Sequence, residues 1–337
     1  MIVSTELVHQ TVDGEERVTL RKDVVRIDGP APLIAVRKRL PDAPPGPPVL
    51  LIHGFGQNRY AWHLGGRSFA NFLAREGYDV WNLDLRGQGR SRRAGSGPAS
   101  GWDPLVQEDV PAALGAIQAA RDGARAFLVG HSLGGLLCYA AAPERPEAVR
   151  GIVTLGAPLR FADGNGLLLG LGTVVDALTR MRVRLPAGAV HAGGIGRHVA
   201  RRRALWEQTA WKLGVAFWAS GSFEPEILTE YGTRAFDRAN LPVLAQLLRM
   251  GVRGRFTSAD GAIDYAERFF ALDIPLFVVA GTKDVLASPR AVRPAFEGSR
   301  ARRRSYREFA SGHADLVTGK HAPTRSWPAI REFLGAN

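Results

Sequence analysis

The chain has 337 residues, of which 45% are hydrophobic and 23% are charged. This balance is typical of a globular protein, and the length allows one large domain or two of ordinary size. The single cysteine, Cys138, excludes a disulfide scaffold within one chain. Because Cys138 lies in an apolar segment, we expect it in the core.

Basic residues outnumber acidic ones by 44 to 32, which gives a formal net charge of +12. All but five of the basic residues are arginine. A GC-rich coding sequence produces such a skew without any selected partner, and the alternative is attraction to an anionic surface or ligand. No helix-turn-helix, zinc-finger or aromatic RNA-binding pattern is found, so we expect no nucleic-acid partner.

The first residues, 1–6, lack a basic stretch followed by a long apolar run, so we expect no secretory signal. No apolar stretch reaches the roughly 18 residues of a membrane span. The default expectation is therefore a cytoplasmic protein.

Short apolar runs alternate with helix-like segments, which is typical of a mostly parallel sheet covered by helices. In chain order, the predicted strands are 33–39, 48–52, 79–83, 126–129, 151–155, 276–280 and 304–309. The predicted helices outside the middle of the chain are 67–76, 105–121, 262–270 and 328–334. Pro111 is compatible with the predicted helix at 105–121 only if that helix begins near Asp109.

The alternation stops after Gly156, and residues 159–255 contain no convincing strand. Apolar residues recur there at helical spacing. We therefore expect a core formed by 1–158 and 256–337, interrupted by a helical cap at 159–255. The residues that could share one helix face are Leu168, Leu171, Val175, Leu178 and Met181. Aromatic residues follow at Trp206, Trp211, Phe217 and Trp218. Such residues serve either for packing or for an acyl pocket.

Residues 130–135 read Gly-His-Ser-Leu-Gly-Gly, between a predicted strand and an apolar helix. A strand, a tight Gly-x-Ser-x-Gly turn and a helix together expose a serine hydroxyl. Glycine at 130 and 134 avoids a Cβ between strand and helix. The first N–H groups of the new helix then point at the group that Ser132 attacks.

An activated serine needs a base within hydrogen-bond reach and an acid that fixes the tautomer of that base. In a parallel sheet, all three lie on loops after the carboxyl ends of strands. Asp284 follows the strand at 276–280, and His313 follows the strand at 304–309. The alternatives for the acid are Asp163, Asp260 and Asp264. We expect Asp315 to stabilise the loop of His313.

These motifs resemble those of the α/β-hydrolase superfamily. His53-Gly54-Phe55-Gly56 resembles its oxyanion loop, residues 84–91 resemble the next loop, and Ser, Asp and His follow in the family's order. Trp62 and the stretches 78–81 and 312–317 are similar to the acid-lipase branch, whereas 130–135 looks more like general esterases and lipases. The resemblance implies a mostly parallel central sheet flanked by helices, with a helical cap inserted after the sixth strand.

The resemblance also implies an oxyanion hole made by the backbone N–H groups of Phe55 and Leu133. Two preorganised donors there each lower the barrier by about 3 kcal/mol. His53, Gly54 and His131 are assigned to the substrate-binding region, where we expect His53 to shape the oxyanion loop. No metal or cofactor is expected.

The predicted activity is hydrolysis of carboxylic esters with apolar acyl or alcohol groups, lipase-like or esterase-like, through an acyl-enzyme. Its alternatives are acyl transfer or perhydrolysis on the same triad, and a non-catalytic ligand-binding protein of the same fold. The expected partner is a small-molecule ester or a lipid, and the oligomeric state is open. A weak contact with an anionic membrane surface is a further hypothesis. It rests on Arg180, Arg182, Arg184, Arg197, Arg201, Arg202 and Arg203, a stretch without acidic residues.

Overall fold

A computed structural model describes residues 1–183, 186, 188–191, 198 and 202–337, without the side chains of 203–206 and 208. Within these ranges, nine strands form one sheet and two short strands pair separately. In chain order the strands are β1 (Ile2–Asp13), β2 (Glu16–Ile27), β3 (Leu33–Arg39), β4 (Pro48–Ile52), β5 (Asp79–Asp84), β6 (Ala126–His131), β7 (Val149–Leu155), β8 (Ala189–His191), β9 (Arg238–Asn240), β10 (Leu276–Gly281) and β11 (Arg304–Phe309).

Helices connect most of these strands. The α-helices are Phe69–Arg75, Gly89–Arg93, Val110–Ala120, Leu133–Ala141, Gly166–Arg180, Arg203–Lys212, Pro225–Arg234, Leu241–Arg253, Tyr265–Phe270, Pro289–Val292, Pro294–Gly298, Asp315–Thr318 and Ser326–Gly335. A π-helical turn, Leu105–Asp109, precedes Val110–Ala120. The α-helix therefore begins where Pro111 allows it, because a proline in the first turn loses no intrahelical hydrogen bond.

The large sheet has the order β1-β2-β3-β5-β4-β6-β7-β10-β11. Six neighbouring strands of this sheet run parallel, namely β5, β4, β6, β7, β10 and β11. At one side of them, β1, β2 and β3 pair antiparallel. This confirms the predicted mostly parallel sheet. In the central pair, Ile52 of β4 lies opposite Gly130 of β6. The loops that follow these two strands are therefore neighbours at the carboxyl edge, where parallel sheets bind ligands.

Apolar side chains pack on both faces of the sheet. One layer contains Leu50 and Leu128, and the other contains Leu51 and Val129, because successive side chains of a strand point to opposite faces. Strands buried on both faces become almost continuously apolar, which explains the short apolar runs of the sequence. Cys138 is fully buried in the first layer, as expected.

The sequence analysis missed the hairpin of β1 and β2. Most residues of β1 are exposed, so its sequence lacks the alternation that predicts a half-buried strand. As a result, seven strands of this chain, rather than six, precede residue 159, where the sequence predicted the cap to begin. The expectation of no strand within 159–255 was also wrong, because β8 and β9 pair there. The division into core (1–158 and 256–337) and cap (159–255) stays a prediction.

The helix Gly166–Arg180 packs on Leu241–Arg253 through a small residue and a buried charge. A Cβ on Gly172 would lie 2.7 Å from the Leu248 carbonyl oxygen. Asp176 is buried beside it and accepts hydrogen bonds from Arg180 and Arg253. The apolar face predicted from Leu168 to Met181 is therefore only partly correct. Its members Leu168, Val175 and Leu178 are half-buried, whereas Leu171 is 48% and Met181 is 73% exposed.

Within the described part of the chain, every helix is too short or too polar to span a bilayer. The arginines at 184, 197 and 201 lie outside the described residues, as does the side chain of Arg203.

We expect Gly172→Ala to lower the free energy of unfolding by about 1–3 kcal/mol, because the new Cβ would press on the backbone of Leu248. The matched control is Gly170→Ala on the same helix, where a Cβ would meet nothing within 4 Å. That control should stabilise the protein slightly, since alanine favours the helix by about 1 kcal/mol. Urea denaturation measures both, and equal effects of the two variants would contradict this packing.

Candidate active site

Ser132 lies on a strained turn between β6 and the helix Leu133–Ala141. Its backbone has φ 55° and ψ −120°, a conformation that costs free energy for any residue other than glycine. The turn is held by backbone hydrogen bonds, since the Ser132 N–H donates to the Leu155 carbonyl at 2.9 Å. A Cβ on Gly134 would overlap the carbonyl of Ile52, and one on Gly130 would overlap Gly134. The glycines of the motif are therefore required by backbone contact.

The structure brings His313 and Asp284 together. Nδ1 of His313 donates a hydrogen bond of 2.7 Å to Oδ2 of Asp284, and both residues are buried. The other carboxylate oxygen accepts the N–H groups of Leu286 at 2.9 Å and Ala287 at 2.8 Å. The carboxylate is thus oriented from both sides. It holds the His313 ring in the tautomer whose Nε2 is a free acceptor.

Ser132 and His313 line one cavity of about 140 Å³ at the carboxyl edge of the sheet. Its walls come from the loop at 54–57, the turn at Ser132, the loop of Asp284 and the segment 159–255. The lining residues are Gly54, Phe55, Gln57, His131, Ser132, Leu133, Leu136, Pro158, Phe161, Leu168, Phe217, Leu244, Leu247, Leu286, Ala287 and His313. Asp284 lies behind His313, outside this lining.

The predicted oxyanion residues, Phe55 and Leu133, both line this cavity. Leu133 is the first residue of its helix, so its N–H has no intrahelical acceptor. The loop of Phe55 is braced by Gln57, a residue that sequence reasoning missed. Its Oε1 accepts the Gly54 N–H at 3.0 Å, and its amide donates to the Tyr231 hydroxyl. No motif marks Gln57, because its partner Tyr231 is distant in the chain.

His53 does not line the cavity. Its Nδ1–H donates to the Gly54 carbonyl at 3.0 Å, and its Nε2 accepts the Leu85 N–H at 3.2 Å. Burial lowers the pKa of His53, which keeps the ring neutral as this arrangement requires. Because both ring nitrogens are occupied by backbone groups, the geometry favours the loop-shaping role over a substrate contact.

His131 and Gly54, also assigned to substrate binding, both line the cavity. Nε2–H of His131 donates to the carbonyl of His313 at 3.1 Å, and the two rings lie 4.6 Å apart. Burial lowers the pKa of His131 well below its ordinary value. A Cβ on Gly54 would approach the Gln57 side chain to 2.7 Å, so this position accepts only glycine without displacement.

Asp315 stabilises the loop of His313, as expected. Its Oδ2 accepts the N–H of Gly312 at 2.6 Å and that of Ala219 at 3.1 Å. Burial raises the pKa of Asp315 to about 6. Asp315 therefore joins the loop of the candidate base to the segment 159–255, a connection that the sequence did not predict.

Phe217 comes from the same segment and also contacts the base. Its ring lies 6.1 Å from the ring of His313, and its carbonyl accepts the Ala314 N–H at 2.7 Å. The sequence analysis singled out Phe217 only as one of several aromatic residues.

The alternative acids have other partners. Asp163 lies near Arg290, at 3.8 Å. Asp260 accepts hydrogen bonds from Ser258 and Ala262, and Asp264 caps the helix Tyr265–Phe270. Among the residues that the structure describes, no group of three or more His, Cys, Asp or Glu side chains is arranged to hold a metal ion.

The strand order, the turn at Ser132 and the pair of His313 and Asp284 together define a hydrolase-type architecture. The chain belongs to the α/β-hydrolase family, since the family model described as alpha/beta hydrolase fold matches residues 47–320. A thermophilic esterase from Thermogutta terrifontis has a similar structure, with a TM-score of 0.61 and 20% identity. That match covers 93% of this chain and 98% of the esterase, and it supports the fold.

Curated relatives match a shorter region. The human lysosomal acid lipase/cholesteryl ester hydrolase is 28% identical over 156 residues, which cover 43% of this chain and 39% of the lipase. Epoxide hydrolase B of Mycobacterium tuberculosis is 35% identical over 130 residues, covering 38% of this chain and 33% of that enzyme. The chain thus spans between a third and two fifths of the length of these relatives. They include more than one class of hydrolase.

We expect Asp315 to contribute stability that increases as the pH falls from 7 to 5. The buried His53 and His131, whose pKa values are lowered, contribute with the opposite sign over the same range. A carboxyl whose pKa is higher in the folded state than the ordinary 3.8 binds a proton more tightly after folding. Its contribution is complete below pH 3.8 and is lost as the pH rises through about 6. Between pH 7 and 5 it amounts to about 1 kcal/mol.

Asp315→Asn should remove this part of the pH dependence, measured as urea denaturation at both pH values. Asp260→Asn is the matched control, because Asp260 is exposed and the hydroxyl of Ser258 lowers its pKa. Asp260 is therefore ionised throughout this range. An Asp315→Asn variant that kept the pH dependence of the unchanged protein would contradict the raised pKa.

Proposed function

We propose that the protein is a serine hydrolase that cleaves carboxylic esters, with Ser132 as nucleophile, His313 as base and Asp284 as acid. The observation that carries the proposal is the hydrogen bond of 2.7 Å between His313 and Asp284, behind a cavity that Ser132 and His313 share. The curated lipase relative supports a carboxylic ester as the substrate class.

In the proposed reaction, Oγ of Ser132 attacks the ester carbonyl while Nε2 of His313 takes its proton. Asp284 stabilises the imidazolium that forms. The backbone N–H groups of Leu133 and Phe55 donate to the oxyanion, each lowering the barrier by about 3 kcal/mol. His313 then protonates the leaving alcohol, and a water activated by His313 releases the acid from the acyl-enzyme.

The epoxide hydrolase relative raises a second class, but the residue at the nucleophile position opposes it. Epoxide hydrolases of this family are expected to use an aspartate nucleophile, and position 132 is serine. Acyl transfer and perhydrolysis use the same three residues, and no contact in the described residues favours them. A non-catalytic ligand-binding protein usually lacks the base or the acid, whereas this chain has a candidate for each.

We further propose that the segment 159–255 contacts an anionic lipid surface. The helix Gly166–Arg180 exposes apolar side chains next to the cavity wall. They are Leu167, Leu169, Leu171 and Val174. The exposed basic residues Arg182, Arg202 and Lys212 lie in the same segment. Apolar side chains that enter the headgroup region, together with cations that attract anionic lipid, favour such binding.

Ser132→Ala should lower turnover of p-nitrophenyl butanoate by about 10⁴- to 10⁶-fold without unfolding the protein. The matched control is Ser305→Ala, on an exposed position of β11, which should keep full activity. A fluorophosphonate probe should label the unchanged protein at Ser132 and leave Ser132→Ala unlabelled. Ester hydrolysis by Ser132→Ala at the rate of the unchanged protein would refute the assignment.

Vesicle sedimentation tests the lipid proposal. The protein should bind vesicles of phosphatidylglycerol and phosphatidylcholine more than vesicles of phosphatidylcholine alone. Val174→Asp should weaken this binding, because it places an anion among the exposed apolar side chains. Leu7→Asp is the control, because Leu7 is also an exposed apolar residue but lies on β1, outside the segment 159–255, and its substitution should leave vesicle binding unchanged. Equal binding to both kinds of vesicle would exclude the anionic surface.

A further inference from the structure

The cavity beside Ser132 is small for a lipid-hydrolysing site. Its volume is about 140 Å³. An engineered protein cavity of about 150 Å³ lined by Leu, Ile and Phe stays dry and binds benzene. The space at Ser132 therefore suits an apolar group of about six carbons. A palmitoyl or oleoyl chain would have to leave the cavity.

The walls of the cavity are apolar away from the reacting end. Its polar lining residues are Gln57, His131, Ser132 and His313, and all four belong to the site already described. No lysine, arginine, aspartate or glutamate is among the lining residues that the structure describes. A carboxylate carried at the far end of an acyl group would therefore enter without a counter-charge, which is strongly unfavourable.

Leu168 forms part of the cavity wall, and its position depends on the first turn of its helix. The side chain of Asn165 caps this helix, since its Oδ1 accepts the Leu168 N–H at 3.0 Å. The amide of Asn165 donates to the carbonyls of Gly214 at 2.7 Å and Val285 at 2.9 Å. Val285 directly follows Asp284, so one side chain ties the wall to the loop of the candidate acid. Asn165 thus fixes the first turn of the helix that carries Leu168 relative to the loop of the candidate acid.

We infer that Leu168 sets an upper limit on the acyl group, and that the substrates are esters of short to medium, uncharged acids of up to about six carbons. This inference rests on the proposed ester hydrolysis at Ser132. The acyl group lies against Leu168, Leu244 and Leu247, while the alcohol leaves on the other side of Ser132.

The first test is the acyl-length profile of p-nitrophenyl esters, from acetate to hexadecanoate. We expect kcat/KM to be highest for butanoate or hexanoate. It should fall at least about tenfold for dodecanoate, because added methylenes that the cavity cannot hold lose binding free energy. Ethyl, hexyl and dodecyl acetates vary the alcohol instead and should show little length dependence. If rates fell with chain length only among these alkyl acetates, the alcohol rather than the acyl group would occupy the cavity, and the inference would be wrong.

Two substitutions of Leu168 should shift the longest acyl chain that the cavity accepts in opposite directions. Leu168→Ala should raise the ratio of kcat/KM for dodecanoate over hexanoate by about tenfold, because it lengthens the cavity. Leu168→Phe should lower kcat/KM for hexanoate relative to acetate by a similar factor. The matched control is Leu171→Ala, an exposed leucine on the same helix that does not line the cavity. A merely structural role of Leu168 would change all esters alike, and that result would overturn the inference.

The charge of the acyl group is tested with methyl hexanoate and monomethyl adipate, which carry acyl chains of equal length. We expect at least about 100-fold slower hydrolysis of the adipate, because its carboxylate enters the apolar end. Leu244→Arg should narrow this gap by placing a cation in the wall.

The two proposals fail in different ways. If fluorophosphonate labels Ser132 but hexadecanoate is the best ester, the size limit is wrong and ester hydrolysis stands. If neither the probe nor any ester reacts at Ser132, the proposed function itself is wrong.

Discussion

The turn at Ser132 depends on a backbone contact between the end of β4 and the start of the helix Leu133–Ala141. This helix approaches the carbonyl of Ile52 so closely that position 134 has no room for a Cβ. Ser132 has a positive φ at this turn, and Leu133, the first residue of the helix, lines the same cavity as Phe55. Because β4 and β6 are paired in register, the two loops after them meet without further adjustment. A bulkier residue at 134 would push the helix away from the end of β4, and Ser132 would move with it.

The segment 159–255 is joined to the rest of the chain by buried polar contacts rather than by apolar packing alone. Asp237 accepts hydrogen bonds from the Gly89 N–H and the Asn58 amide. Asn165 reaches the loop of Asp284, and Asp315 reaches back to Ala219. A buried polar group that loses its partner costs about 1–3 kcal/mol, so these contacts specify one position for the segment. The size of the cavity beside Ser132 therefore depends on the position of the segment 159–255.

Much of the site was predictable because its residues follow strands whose apolar sequences are easy to recognise. Ser132 and Asp284 follow buried apolar strands, whereas His313 follows the largely exposed strand β11, and the structure places Asp284 and His313 in contact. The hairpin of β1 and β2 was not predictable in the same way, because β1 is an edge strand whose residues are mostly exposed. His53 was assigned to the substrate from its motif, whereas its ring nitrogens are both used by the backbone. Gln57 was missed because its partner, Tyr231, is far away in the chain.

The sequence by itself determined the order of the strands β3 to β7, β10 and β11, the family, and the loops on which the candidate catalytic residues lie. These properties follow from local apolar runs, glycine positions and chain order, which act over a few residues. Only the tertiary structure decided which side chains close the cavity and how large it is. Leu168 and Phe217 come from a segment whose helices show no motif, and their contacts with the site depend on packing over long sequence separations. The size of the acyl pocket is such a property, because it is the space left between elements that fold from distant parts of the chain.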